Sequence, residues 1–298
     1  MRDLVVIGLG HIGGSIAAGA RARGLAARVV GVDSDPAHRM KARESRLADF
    51  VSEDLAHASS KADVVVVAVP PSLTAGVVLA ALAAAPSAVV TDVAGLKSAI
   101  VERVQREGGA ASSRFVGAHP MAGTAGSGPG SADAQLFEGR RVIVTPVANT
   151  DPRATAVVEG MWRGLGATPL RETPDAHDRM ITAVSHLPHA IAFSLVLAAS
   201  EFLGAGGDLA AGAERAALFA GPSYQGATRV AASDPELWRA LLADNGAGIV
   251  DAIELLRSRL ETLSQAILRE RTNAPGTPLL DILRQARALT AAADKGNT

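Results

Sequence analysis

The sequence predicts an α/β protein: an open, doubly wound parallel sheet over the first half of the chain, followed by an all-helical region. Short β-branched runs alternate with helical segments up to about residue 150, the pattern of parallel strands joined by crossover helices. Residues 64–69 are apolar without alternation, as a central strand buried on both faces requires. Past Asp151 the strand signals fade, apart from Thr168–Arg171, and long helical patterns replace them. With 298 residues, 48% of them hydrophobic, the chain can bury one large core or two ordinary ones.

The strand runs in order are residues 4–7, 28–33, 63–69, 88–93, 115–118 and 141–145, with Pro70-Pro71 stopping the third; proline supplies no ladder N–H. We place the first domain at residues 1–172 and the helical domain at 173–298. The helical domain opens with a helix over 175–202 in which Pro188 cannot bond the carbonyl of Val184, so the helix is locally irregular there. Ser233-Asp234-Pro235-Glu236 is a helix start: a capping side chain, an early proline and an acid in the first turn. From it a single helix is expected to run to about Glu270, a length that often carries a subunit interface. Residues 271–276 read as a loop, Thr277-Pro278 as the start of a last helix, and the tail after Ala293 as frayed.

Twenty-nine basic and 30 acidic residues give a formal charge of −1, so no electrostatic footprint points to nucleic acid or an anionic membrane. Absence of cysteine excludes disulfides, thiolate metal ligands and a cysteine nucleophile. The chain enters a strand directly after Met1-Arg2-Asp3, and no stretch reaches 18 uninterrupted apolar residues. A soluble cytoplasmic protein is the expectation.

Gly8-Leu9-Gly10-His11-Ile12-Gly13 follows the first strand and opens a helix, the context that gives this glycine pattern meaning. Gly8 permits the tight turn, Gly10 lets backbone N–H groups approach a pyrophosphate, and Gly13 lets helix and strand pack closely. The helix amino terminus adds partial positive charge, with His11 and Ile12 on its first turn. Asp33 ends the second strand, twenty residues after Gly13. Its carboxylate can accept both ribose hydroxyls and repels a 2′-phosphate, so the expected cofactor is NAD in a Rossmann-like domain.

Ligands of such sheets collect beyond the carboxyl ends of the strands. Three ends are informative: Val69-Pro70, the segment from Thr91-Asp92 to Lys97, and Gly117-Ala118-His119-Pro120. Val69, Pro70 and Asp92 are expected beside the cofactor. His119 can accept a proton while a hydride leaves, with turnover falling on the acid side of an apparent pKa near the ordinary imidazole value of about 6.5, shifted by its surroundings. In the helical region His186 and His189 share one helix face at i, i+3. Two imidazoles without cysteine or a matching acid make a poor metal site, and no metal is expected. Arg229 can clamp a carboxylate in bidentate fashion, or it can be an ordinary surface cation. Trp238, on the first turn of the long helix, is expected in the core.

Taken together, the glycine turn, Thr91-Asp92 through Lys97, Gly117-Ala118-His119-Pro120-Met121-Ala122-Gly123, Ser185-His186-Leu187-Pro188-His189 and Ser233-Asp234-Pro235 with Trp238-Arg239 resemble the prephenate and arogenate dehydrogenases along nearly the whole chain. The resemblance implies a Rossmann-like domain followed by an all-helical dimerisation domain, with active sites that a second subunit helps to complete. It implies that His119 bonds the ring hydroxyl and acts as base, with His186 nearby as a further catalytic group. His189, Arg229, Thr124 and Gln225 fall at substrate-binding positions. The implied reaction is NAD-dependent oxidative decarboxylation of prephenate, with arogenate as the alternative substrate.

Two positions depart from the family pattern. Gly95 stands where a serine is common, and Gln225 where some members carry a basic residue. No mutase domain is expected before the fold, nor a regulatory domain after it. One rival is a β-hydroxyacid dehydrogenase using Lys97 for acid–base work, which leaves the three histidines unexplained. Another is a non-catalytic NAD sensor, which leaves Arg229 without a task as well.

Overall fold

The computed structural model describes residues 1–122, 126–272 and 278–295, in two compact units, Met1–Asn245 and Gly246–Thr298. In the first unit the described residues form an eight-stranded sheet. Its strands are β1 (Asp3–Ile7), β2 (Arg28–Val32), β3 (Phe50–Ser52), β4 (Val64–Val67), β5 (Val89–Asp92), β6 (Phe115–Pro120), β7 (Arg141–Thr145) and β8 (Thr168–Arg171). Their spatial order is β3-β2-β1-β4-β5-β6-β7-β8. Helices α1 (His11–Ala22), α2 (Pro36–Glu44), α3 (Leu55–Ser59), α4 (Pro71–Ala84), α5 (Ser98–Glu107) and α6 (Pro152–Gly164) cover it.

The continuous apolar runs have the cause the sequence suggests. Leu4, Val6, Val64 and Val66 enter a core with Ile16, Ala20 and Trp162, whereas Val5, Ile7, Val65 and Val67 enter one with Val78, Leu82, Ile100 and Val104. Successive residues of a strand point to opposite faces, so a sheet covered on both faces needs apolar residues at every position. Each such side chain contributes roughly 1.5–3 kcal/mol by leaving water.

All pairings from β3 through β6 are parallel, but β7 runs antiparallel to β6 and parallel to β8. The chain between β6 and β7 returns at the same end of the sheet without a crossover helix, and a direct return pairs antiparallel. Strand β3 is absent from the sequence reading. Its three residues are too few for a periodic signal, and Phe50 on this edge strand is 61% exposed.

The rest of the first unit is helical: α7 (Pro174–Ile181), α8 (Leu187–Leu203), α9 (Leu209–Phe219), α10 (Pro222–Thr228) and α11 (Pro235–Asp244). Between α7 and α8 lies a π turn, Thr182–His186, where the N–H of Leu187 bonds the carbonyl of Thr182. The irregularity expected at Pro188 takes this form, since the missing proline N–H releases the i−4 ladder. In the second unit α12 (Gly246–Arg271) and α13 (Pro278–Lys295) pack on each other.

The single helix expected from residue 235 to about 270 is instead two, α11 and α12, separated at Asn245 (φ −92°, ψ 13°). Asn245 turns its amide to Thr182 Oγ1 and His186 Nδ1, each at 2.8 Å. Gly246 follows, and glycine costs a helix interior about 1 kcal/mol.

Candidate active site

The carboxyl ends of β1, β4 and β5 and of the parallel-paired β6 lie on one side of the sheet, and the loops leaving them build the site. Gly8 leaves β1 at φ +91°, and a Cβ there would stand 2.3 Å from the carbonyl oxygen of Ala68. At Gly13 a Cβ would stand 1.8 Å from the Gly8 carbonyl oxygen. Both glycines are required by the chain itself. A Cβ on Gly10 meets nothing within 4 Å, so the chain itself does not require that glycine, and the open backbone there leaves room for a ligand to approach. The first turn of α1 follows, with N–H groups that have no helical carbonyl to bond. The residues present therefore fit the pyrophosphate of a dinucleotide.

Asp33 is buried at the end of β2. Its Oδ2 accepts the Leu9 N–H at 2.8 Å and its Oδ1 accepts the Asp35 N–H at 2.9 Å. This carboxylate holds the glycine turn in place and keeps lone pairs for ribose hydroxyls. Beside it stands His38, Nδ1 3.3 Å from Oδ2, a neighbour the sequence reading missed. Arg39 caps the Asp33 and Ser34 carbonyls and pairs with Glu53. Val69 packs half-buried against Gly8, and the exposed Pro70 precedes α4. His11 directs its ring to Ser131, Nδ1 2.8 Å from the carbonyl oxygen. Ile12 lies on the same first turn, packed against the core.

The Asp92 side chain is held by protein groups. It is fully buried, and its carboxylate is spent on the Lys97 ammonium and on the N–H groups of Ala94 and Ala118. Its side chain ties β5 to β6 and offers no oxygen to a cofactor. Lys97 is equally buried and also donates to the Ala118 carbonyl at 3.0 Å. Burial pulls the Lys97 pKa down while Asp92 opposes it. An ammonium so enclosed cannot reach a substrate, which removes the Lys97-based rival.

His119 sits near the end of β6 with its Nδ1 2.9 Å from Nε2 of His177. The rings meet edge to face, centroids 5.1 Å apart. His177, wholly buried on α7, places its Nδ1 2.7 Å from Oδ1 of Asp178. Burial, the Lys97 charge and His177 push the His119 pKa down to about 3, with Asp178 acting against them and His186 adding to them. The surroundings thus shift it far below the ordinary value, and the ring is neutral throughout the physiological range. Gly95 faces its other edge, a Cβ there lying 3.9 Å from His119 Nε2 and 3.8 Å from a methyl of Leu241.

On the helices, His189 stacks on Trp238, ring centroids 3.6 Å apart and planes within 19°. His186 meets the same indole edge-on at 5.6 Å. Trp238 is buried as expected, with both imidazoles against it. His189 Nδ1 lies 2.9 Å from the Ser185 carbonyl oxygen, which can only accept, so Nδ1 carries a proton and donates. Burial first, then the nearby imidazoles, hold the His186 pKa below the usual value.

Arg229 begins the 3-10 turn Arg229–Ala232, which packs on α8. It is exposed and makes no ion pair with the described residues. Gln225 is exposed one turn earlier and donates to the Ala220 carbonyl at 3.2 Å. Thr124 lies outside the described residues. Among those described, no three metal-ligating side chains gather. His177, Asp178 and Asn245 escaped the sequence reading because they act through contacts 58 to 81 positions apart.

A glycine turn closed by an acid, at the same end of the sheet as a strand that presents an imidazole and helices that add more, defines a dinucleotide-dependent dehydrogenase with a helical second region. The family model described as prephenate dehydrogenase, nucleotide-binding domain, matches residues 16–170, and that described as prephenate dehydrogenase, dimerization domain, matches residues 173–285. The chain belongs to the prephenate dehydrogenase family, and it is an enzyme. It is 30% identical over 273 residues to the cyclohexadienyl dehydrogenase of Zymomonas mobilis, covering 89% of this chain and 88% of that one. With the prephenate dehydrogenase of Bacillus subtilis it shares 31% identity, covering 85% of this chain and 67% of the relative. The Aquifex aeolicus prephenate dehydrogenase solved with hydroxyphenyl propionate and NAD+ superposes with TM-score 0.86 at 29% identity, covering 98% of both chains. Synechocystis arogenate dehydrogenase gives 0.82 at 28%, covering 98% of this chain and 99% of that one.

Proposed function

We propose that this enzyme oxidises prephenate with NAD, releasing CO2 and 4-hydroxyphenylpyruvate in tyrosine biosynthesis in the cytoplasm. The observation that carries the reading is His119, a neutral imidazole held at a strand end on the same side of the sheet as the glycine turn. When bound, the nicotinamide supplies the hydride acceptor. His119 takes the ring-hydroxyl proton as the C–H electron pair leaves as hydride, loss of the ring carboxylate as CO2 makes the ring aromatic, and the resulting phenolate oxygen takes the proton back. The protein therefore needs a base, a carboxylate clamp and orientation rather than a strong acid. Arg229 supplies the clamp, with Gln225 one turn earlier, while His189 and Trp238 wall the pocket; Thr124 is assigned to substrate by the family resemblance alone. His186, held by Asn245, stands behind them. Gly8, Gly10, Gly13 and Asp33 hold the dinucleotide, with His11, Ile12, Val69 and Pro70 at the edge of its site.

The domains in this reading are 1–172 and 173–298, and the working unit is a homodimer. Support comes from the dimerization model over 173–285 and from apolar residues left in water on α8 and α9, where Phe202, Phe219 and Leu218 are 80–89% exposed. The run Pro174–Leu203 is long and apolar enough to cross a membrane. Its histidines and Asp178 are instead engaged in the site, and an apolar helix face of this kind suits a subunit interface.

Arogenate is the second reading, favoured by Gln225, where no cation awaits a ketoacid side chain. The purified protein incubated with NAD and either prephenate or arogenate, followed by absorbance of the reduced cofactor, separates the two. Turnover of prephenate at the higher kcat/KM is the expected result, and reduction with neither substrate overturns the proposal.

A further inference from the structure

The tautomer of His119 follows from a chain of contacts that begins at a backbone. Asp178 Oδ1 accepts the Lys97 N–H and Oδ2 accepts the Ser98 N–H, both at 2.8 Å. Burial pushes the Asp178 carboxyl up, but hydrogen bonds from His177, Ser98 and Lys97 outweigh it and hold the pKa below the usual range. The group is a carboxylate and can only accept. His177 Nδ1 at 2.7 Å must then carry a proton. With a single ring proton on His177, already placed at Nδ1, its Nε2 is an acceptor and the N–H of the 2.9 Å contact belongs to His119 Nδ1. That leaves Nε2 of His119 as a bare lone pair on the side where Gly95 opens space.

We propose that His177 and Asp178 are positioning residues that fix His119 as the Nδ1–H tautomer and stabilise the imidazolium formed when Nε2 takes the substrate proton. The proposal rests on the reading of His119 as base. In the step a substrate O–H bond breaks and an Nε2–H bond forms. The positive charge created on His119 is transmitted through the buried His177 ring to a fixed carboxylate, the role an acid plays behind a catalytic histidine. Gly95 is consistent with this arrangement, because its lack of a side chain leaves the Nδ1 side as the one held by protein groups. Lys97, His177, Asp178 and His186 are the charged and titratable groups acting on the ring, and only Asp178 favours the protonated form.

The test combines kinetics with imidazole 15N spectra of the intact enzyme. His177→Leu is expected to lower kcat by roughly 10²-fold or more, as loss of the orienting partner does, with KM for substrate and cofactor little changed. His177→Gln, whose amide oxygen can still accept from His119 Nδ1, should recover part of it. In a His119→Asn background His177→Leu should cost nothing further, because the relay acts through the base. Equal losses in both backgrounds would mean a merely structural role and overturn the proposal. Native kcat in His177→Leu, alongside a crippled His119→Asn, overturns it while sparing the base assignment. Native turnover in His119→Asn itself overturns the base assignment. Should the substituted proteins not fold, the wild-type spectrum decides: a proton on Nδ1 of His119 supports the relay, and one on Nε2 refutes it.

Discussion

The glycine turn and the histidine cluster occupy the same end of the sheet but are specified in opposite ways. The turn is local. Gly8 and Gly13 are dictated by atoms of Ala68 and of Gly8 itself, and Asp33 reaches back only 24 residues to the Leu9 N–H. The histidine cluster is non-local: His119 comes from β6, His177 from α7, and His186 and His189 from the π turn and α8. Two side chains, the buried Lys97 and the half-buried Asp178, clamp these pieces together. A local site can be moved between proteins with its fold, whereas a non-local one must be assembled by packing, and its chemistry is set by what the packing buries.

The largest expected effect separates chemistry from binding. His119→Asn keeps a polar side chain that cannot take a proton, and should lower kcat by roughly 10²–10⁴-fold while NAD affinity, which resides in the turn, stays near native. The pH profile sharpens this. His119 is neutral above a pKa of about 3, so kcat/KM, which reports the free enzyme, should show no acid limb near 6.5 from this group. Substrate carboxylates raise the pKa of a nearby imidazole, so any such limb in kcat lies at higher pH than in kcat/KM. The same burial links to stability. Between 6.5 and about 3 the unfolded chain binds a proton that folded His119 does not, so this contribution is complete above 6.5 and is lost as pH falls toward 3. A kcat/KM limb at 6.5 that vanishes in His119→Asn would refute the environment described for the ring.

Next in size is Arg229→Ala. The guanidinium makes no ion pair among the described residues, so its removal should leave thermal stability unchanged. Loss of a charge-assisted pair to substrate costs about 1.5–3 kcal/mol, a roughly 10- to 100-fold rise in KM. An unchanged KM takes Arg229 out of the site.

The same contrast governs what was legible in the sequence. Sheet strands longer than three residues, the glycine turn and Asp33 follow from periodicity and spacing, because the forces behind them act between near neighbours. The partners of Asp92 were not legible for the converse reason. An acid at a strand end looks the same in sequence whether it meets a ligand or, as here, a buried ammonium. His177 was invisible because nothing local distinguishes a buried relay histidine from a solvated one near a helix start. The break at Asn245 was missed because its amide is drawn to His186, 59 positions away.

The smallest effects test the turn against itself. Gly13→Ala places a methyl 1.8 Å from the Gly8 carbonyl oxygen, a backbone atom that cannot swing aside. Overpacking of this kind costs about 1–3 kcal/mol or more, so the midpoint of thermal unfolding should fall by several degrees without any ligand present. Gly10→Ala places a methyl where nothing lies within 4 Å. The backbone there, φ −65° and ψ −164°, is open to an L-residue. Replacing glycine at a compatible position also lowers the entropy of the unfolded chain, worth about 0.4–1 kcal/mol. Gly10→Ala should therefore melt at or slightly above the native temperature while its affinity for NAD falls, because the methyl occupies the side from which a pyrophosphate approaches. Calorimetry with and without NAD reads both quantities on one sample. The turn is a cofactor cradle if the ligand-induced rise in melting temperature shrinks in Gly10→Ala while the ligand-free midpoint holds. If both substitutions instead lower the ligand-free midpoint alike, Gly10 answers to packing as Gly13 does, and the assignment of this turn to pyrophosphate loses its support.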